Sequence, residues 1–220
     1  MKITENEKAV DELIARLQER NAKEDARRNG TIHTSDLVLC VRQSAFKRIV
    51  PKPPSLEELG YYVDGNTSDR ALKNLFKPSA SMQVDGVWLT PDAEDENGVL
   101  QEFKATRSND GLSAHFGRQL AYYLAQTGKS YGRLIVRRLT RKYPKKGEPD
   151  TWKPFDVYDV HIEPQEMLDL RTEIRGKKEA LAVAIEQQNP LLAPGVKHDA
   201  ESNWRCKRCQ WKQECFAFNE

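Results

Sequence analysis

Four cysteines, one near the start and three near the end, constrain this 220-residue chain more than any other feature. Cys206, Cys209 and Cys215 form a C-x2-C-x5-C segment, while Cys40 stands alone far upstream. The opening MKITENEKAVDEL carries early acidic residues and no uninterrupted apolar core, so it does not read as a secretory signal. A cytoplasmic location is the expectation, and reduced thiols there make two disulfides a poor account of the set. Four thiolates are a complete ligand set for zinc or for an iron–sulfur cluster, and spacing alone does not separate the two. Buried or surface thiols without a metal are the plainer alternative. Either metal would clamp Cys40 against the C-terminal segment and close nearly the whole chain into a loop.

The length suits one domain, expected over 1–220, with N-terminal helices and the first cysteine in 1–50. The catalytic sheet is expected in 80–162 and the cysteine segment in 200–220. No stretch approaches the ~20 apolar residues needed to cross a bilayer, so no membrane partner is expected. A net charge of +2 is too small to imply nucleic acid by itself, and any such reading must come from local clusters.

Hydropathy periodicity orders the chain as mixed α and β. Thr4-x-x-Glu7 is a capping box ahead of Val10, Leu13, Ile14 and Leu17, and the spacing predicts a helix to about Arg28, before Asn29-Gly30. A second helix from Thr34 or Ser35 would put Leu37, Cys40, Val41 and Ser44 on one inward face. Pro51, Pro53 and Pro54 break the chain, and a third helix is expected over 67–76. Strands over 82–89 and 99–105 read as a hairpin around an acidic turn at 91–98. A helix over 112–126 closes at Gly128, strands follow over 131–139 and 155–162, and Pro164 opens a long helix to about Gln188. This order implies one α/β domain with a small cysteine-bound appendage.

The chemistry-bearing residues lie on the expected hairpin and the helix after it. Asp85 sits in SMQVDGVWL and Glu102-Phe103-Lys104 in VLQEFKAT. Glu102 and Lys104 are two apart on a strand and share a face. With Asp85 on the neighbouring strand, two carboxylates and an ammonium would converge. Carboxylates are hard ligands for Mg2+ or Mn2+, and such an ion can activate water and polarise a phosphate. A solvent-facing strand of alternating charge has the same local pattern. Gln119 and Tyr123 lie one helical turn apart and could hold a DNA backbone or base beside the metal, though surface glutamines and half-buried tyrosines are common on such helices. Arg133, Arg137, Arg138, Arg141, Lys142, Lys145 and Lys146 form a basic run that could hold phosphates or be a solvated charged hairpin. Arg205, Lys207, Arg208 and Lys212 alternate with Trp204 and Trp211, whose rings suit either base stacking or a wrapper around the cysteines.

In this order and company the residues resemble the CRISPR-associated RecB-like nucleases, the fourth Cas family (Cas-four). More loosely, they are similar to the nuclease domains of AddB and of eukaryotic replication helicase-nucleases. The resemblance rests on Cys40 in TSDLVLCVRQSAFKR, Asp85, Glu102-x-Lys104, Gln119-x-x-x-Tyr123, Cys206, Cys209 and Cys215. It implies a PD-(D/E)xK core, a central mixed sheet flanked by helices, with a [4Fe–4S] cluster on the four cysteines joining the chain ends. It further implies a Mg2+- or Mn2+-dependent deoxyribonuclease, with Asp85, Glu102, Lys104, Gln119 and Tyr123 catalytic and Asp85 and Glu102 holding the metal. The expected substrate is DNA, cleaved as an exonuclease from single-stranded ends. The setting implied is trimming of new spacer DNA in CRISPR adaptation, an antiviral defence, with integrase subunits as partners. One element departs from the family. A histidine is usual four residues after a glycine in a helix before the sheet, and Gly65-Asn-Thr-Ser-Asp69 has aspartate there. Asp69 could be a third oxygen ligand or a charge favouring its helix N-terminus. His33, His115, His161 and His198 offer no clear substitute. A nuclease of phage or repair end resection, and a DNA-binding iron–sulfur subunit with little catalysis, are the alternative functions.

Overall fold

The computed structural model describes residues 7–28, 30–108, 114–141, 152–195 and 206–217. Helix α1 (Glu7–Arg28) ends where Asn29-Gly30 predicts, while Thr4 of the expected capping box lies outside the described residues. Its apolar stripe is only partly used: Val10 and Leu13 are exposed, and Leu17 lines a cleft against Leu59 and Val63 of a later helix.

The second expected helix is two. Helix α2 (Thr34–Val38) stops at Leu39, whose φ of −99° and ψ of −120° are not helical, and α3 (Val41–Ile49) restarts after it. Cys40 is therefore the extended N-cap residue of α3, at a helix junction rather than on an inward helical face. Helix α4 (Leu56–Lys73) also differs from the expected 67–76. Ser55 and Glu58 form a capping box at its start, which satisfies two backbone donors that would otherwise be orphaned. Asp69 thus lies near the C-terminal end of a long helix and is not an N-terminal charge.

Five strands form the main sheet in the order β2 (Lys77–Pro78), β5 (Ala93–Glu94), β6 (Leu100–Thr106), β7 (Tyr131–Arg138), β8 (Phe155–His161). Strands β6 and β7 run parallel, joined through helix α5 (Ala114–Thr127), and the other pairs are antiparallel. A three-stranded sheet places β4 (Val87–Leu89) between β1 (Ile32–His33) and β3 (Met82–Val84). The expected strand over 82–89 is itself a hairpin, turning at Asp85-Gly86 with φ of 51° and 75° and pairing Val84 with Val87. An Asp-Gly pair is well suited to such a left-handed two-residue turn, so the segment never reaches Glu102's strand.

Helices α5 and α6 (Pro164–Glu186) cover one face of the main sheet, where Leu100, Leu120, Leu124, Leu134, Ile174 and Leu181 are buried together. A side chain at Gly132 would meet methyl carbons of Leu120 and Leu124 at 3.0 and 3.1 Å, so glycine there lets α5 lie close on β7. Helix α4 covers the other face through Leu72, Ala93, Phe103 and Ile135, with Phe76 beside them. A mixed sheet with helices on both faces is the architecture expected. After α6, a 3-10 turn (Pro190–Leu192) precedes the cysteine segment and its helix α7 (Lys212–Phe216). No helix among the described residues is long and apolar enough to cross a membrane.

Candidate functional site

The site grows from the pairing of β5 with β6. Ala93 stands opposite Gln101 and Glu94 opposite Leu100. One step further along this antiparallel register, Asp92 stands opposite Glu102, and opposite residues share a face. The backbone N–H of Phe103 donates to Asp92 Oδ2 at 2.8 Å and fixes that carboxylate beside the strand. The aspartate that meets Glu102-x-Lys104 is therefore Asp92, in the dipeptide Pro91-Asp92, and not Asp85. Asp85 lies in the turn of the smaller sheet, where its carbonyl accepts from Lys178 Nζ at 2.6 Å.

Glu102, Lys104, Gln119 and Tyr123 come together as expected. Lys104 Nζ donates to Glu102 Oε1 and, at 3.0 Å, to Gln119 Oε1. Gln119 Nε2 donates to the Tyr123 hydroxyl at 3.0 Å, which donates to the Thr90 carbonyl at 3.2 Å. Thr90 is two residues before Asp92, so the chain of bonds returns to the segment that carries the first carboxylate. Burial holds the Tyr123 phenol well above its usual range, with the charge of Glu102 adding to it, so the hydroxyl stays a donor.

Glu102 is 1% exposed, and its Oε2 has no hydrogen-bond partner. Burial pushes its pKa up to about 8; the Lys104 ammonium opposes the rise, and the Asp92 charge adds to it. Such a group keeps its proton at neutral pH unless a cation arrives. Asp69 is also at the site: Lys73 Nζ lies 2.9 Å from Asp69 Oδ2 and 3.2 Å from Asp92 Oδ1. Burial raises the Asp69 acid range, opposed by the Lys73 bond, and Asp69 Oδ1 is buried without a partner. Among the described residues, no group of three or more His, Cys, Asp or Glu side chains is arranged so that it could hold a metal ion. The two orphaned carboxylate oxygens, beside Asp92, are nevertheless a hard donor set suited to Mg2+ or Mn2+. Asp92 and Lys73 are not singled out by sequence reasoning. The Pro-Asp step ten residues before Glu102 is the signal that could have found the first of them. Of the histidines, His33 is in β1, His161 ends β8 against the Tyr131 ring, His115 packs on Phe116, and His198 is outside the described residues.

Among the described residues of the expected basic run, Arg133 and Arg138 are paired with acids. Arg133 pairs with Asp159 at 3.2 Å and Asp95 at 3.8 Å, and Arg138 pairs with Asp156 at 2.6 Å. Arg141 lies over the Trp152 ring. Arg137 instead donates to Ser68 Oγ at 3.1 Å, beside Asp69 in sequence. Lys142, Lys145, Lys146, Trp204 and Arg205 lie outside the described residues. Trp211 is buried at 2% exposure, stacks on Phe46 and donates its indole N–H to the Val50 carbonyl at 2.9 Å. It wraps the cysteine segment and offers no face to a base.

The four cysteines lie near enough to act on one another's charge, although among the described residues no three of them are arranged to hold a metal. None is in a disulfide. Burial raises the Cys206 thiol, and the nearby Cys40 and Cys215 raise it further. Burial likewise raises Cys209; a bond from the Trp211 backbone opposes this, and the other three cysteines add to it. Lys52 Nζ donates to the Gln210 carbonyl at 3.0 Å and pairs with Glu214, which holds the segment to the chain after α3. Arg42 donates to the Ala193 carbonyl at 3.0 Å and approaches Cys215 Sγ at 3.5 Å.

No protein-family model and no curated protein matches the chain. Solved structures do share its fold. The protein SSO0001 is similar over 90% of this chain and 93% of its own, with a TM-score of 0.56 at 20% identity. The alkaline exonuclease LHK-Exo from Laribacter hongkongensis is similar over 74% of this chain and 93% of its own, with a TM-score of 0.50 at 13% identity. A phage-related exonuclease from Haemophilus somnus 129PT is similar over 72% of this chain and 96% of its own, with a TM-score of 0.51 at 8% identity. The chain has the mixed α/β fold of these alkaline and phage-related exonucleases.

Proposed function

We propose that this chain is a metal-dependent deoxyribonuclease, one nuclease domain over 1–220, that degrades DNA from single-stranded ends. The observation that carries the reading is Asp92 opposite a buried Glu102, whose free oxygen has no partner, with Lys104 anchored beside them. The exonuclease fold supports it. Asp92 and Glu102, joined by Asp69, would hold Mg2+ or Mn2+. When bound, the ion supplies polarisation of the scissile phosphate and a more acidic water. Lys104, fixed by Gln119, offers its remaining N–H to the charge that develops on the phosphate. Tyr123 locks Gln119 and so the direction of that ammonium. Arg137, the one arginine of the basic run turned toward α4, holds a phosphate of the incoming strand.

Four neighbouring thiols are the ligand chemistry of a metal centre, and the family resemblance suggests a [4Fe–4S] cluster held by Cys40, Cys206, Cys209 and Cys215. Its chemistry would be structural, joining α3 to the C-terminal segment. Anaerobically purified protein should be brown with about four irons per chain. Colourless protein with stoichiometric zinc would replace that assignment. The same resemblance suggests prespacer trimming beside CRISPR integrase subunits as the setting. A phage-type end-resection role is the second reading, and the fold shared with a phage-related exonuclease favours it. Incubation of end-labelled single-stranded DNA with Mn2+ tests the activity directly. Wild type should release short products and Lys104→Ala none; equal cleavage by both would remove β6 from the reaction.

A further inference from the structure

Lys73 is the last residue of α4, and its ammonium stands between two carboxylates from different elements, Asp69 at 2.9 Å and Asp92 at 3.2 Å. Burial works against its charge, but the bond to Asp69 and the charge of Asp92 outweigh that, so the ammonium is held protonated. It also lowers the acid range of Glu102, so its field reaches all three acids of the site. Yet it does not satisfy them. Asp69 Oδ1 and Glu102 Oε2 remain buried without partners. An ammonium has three donors on one atom, whereas a divalent cation of the hard kind takes six or more oxygens.

We infer that Lys73 is a tethered stand-in for the metal, occupying the acid site in the metal-free protein and leaving it when a divalent cation binds. Without some cation, the carboxylates of Asp69 and Asp92 would face each other beside a buried Glu102, and the fold would carry their repulsion. Lys73 relieves it from within the chain. Its side chain is 35% exposed, so the ammonium has a solvent edge through which to withdraw. Lys104 contrasts with it. That ammonium is backed by Gln119 as well as Glu102 and keeps its place, while Lys73 is held by Asp69 and Asp92, the acids a metal would claim. Metal and Lys73 therefore compete, and the lysine sets how much metal is needed.

This inference rests on the reading that the site takes a divalent cation. The test is Mn2+ binding to full-length protein by calorimetry, with thermal unfolding with and without Mn2+, for wild type, Lys73→Met, Lys73→Gln and Glu102→Gln. Wild type should bind Mn2+ and Glu102→Gln should not. Lys73→Met should melt lower without metal and bind Mn2+ about ten-fold more tightly, with a wider gap between its metal-free and metal-saturated melting temperatures. Lys73→Gln, which keeps a neutral donor, should show the same direction with a milder loss of metal-free stability. It serves alone if Lys73→Met does not fold. Mg2+ titration of wild type, followed by the Lys73 side-chain nitrogen resonance, should show that signal move to a solvent-exposed position. Wild-type binding that Glu102→Gln removes, but that neither Lys73 variant tightens, overturns the stand-in role and leaves the metal site intact. Absent wild-type binding, or binding indifferent to Glu102, overturns both.

Discussion

Asp85 and Asp92 are seven residues apart, each beside a turn-forming residue, Gly86 and Pro91, and the fold uses them oppositely. Asp85 with Gly86 reverses the chain inside a small sheet, at a φ of 51° that few side chains tolerate. Asp92 directly precedes the two-residue strand β5, and the backbone N–H of Phe103 holds its carboxylate beside Glu102's strand. Residue type and distance from the Glu-x-Lys step do not separate them. The hydrogen-bond partner of each strand does: Val84 closes back on Val87, whereas Ala93 pairs with Gln101. Register, and not residue type, decides which of the two carboxylates lies beside Glu102; the other is a turn former.

The largest effect on stability should come from Asp92's cross-strand partner. In the fold Glu102 keeps its proton to about pH 8, against an ordinary 4.5 in the unfolded chain. Between those values the folded state binds more protons, so rising pH erodes stability until the folded group has also ionised. Glu102→Gln removes this term while also removing the partner of Lys104. Without divalent metal, its advantage over wild type should be near zero at pH 4, grow through pH 5 to 8 to about 2–4 kcal/mol, and then level off. Urea unfolding across that range reads it, and a flat difference would show that Glu102 is not held neutral.

The arginines sharpen the same contrast between a group spent on structure and a group turned to the site. Arg137→Ala should weaken single-stranded DNA binding and reduce its salt slope by about one. Arg133→Ala, whose guanidinium is taken by Asp159 and Asp95, should leave the slope unchanged. Fluorescence anisotropy at several salt concentrations separates them; equal slopes for the two variants would mean that the β8 acids do not neutralise the run. The smallest effect belongs to the turn. Asp85→Gly relieves the left-handed conformation and should change stability by less than about 1 kcal/mol, in the stabilising direction, with cleavage untouched. Thermal unfolding beside the activity assay checks both parts.

Long periodic segments are legible in the sequence. Strands β7 and β8 and helices α5 and α6 fall within a few residues of the expected bounds, because each repeats its pattern over several turns or pleats. Glu102, Lys104, Gln119 and Tyr123 are readable for the same reason, since spacings of two on a strand and four on a helix fix a shared face. The elements that escape such reading are decided by partners far away in sequence. Strand β5 has two residues inside an acidic stretch, and only its pairing with β6 makes it a strand. The neutralising Asp156 and Asp159 sit on β8, across from the arginines rather than among them. The break before Cys40 lies within an unbroken helical pattern, where the cysteine segment docks against α3. The start of α4 is a different case, because its Ser55–Glu58 capping box is a local signal. It directly follows three prolines, whose chain-breaking character masks the helix that opens behind them.

The central claim is that Asp92, and not Asp85, completes the site with Glu102 and Lys104. Asp92→Asn and Asp85→Asn, each isosteric and each free of the charge, should be compared in Mn2+-dependent cleavage of end-labelled single-stranded DNA. Asp92→Asn should lose at least about a thousand-fold in rate, while Asp85→Asn, suited to the same left-handed turn, should cleave as wild type does. Wild-type cleavage by Asp92→Asn with loss in Asp85→Asn would contradict the account and return the site to the smaller sheet.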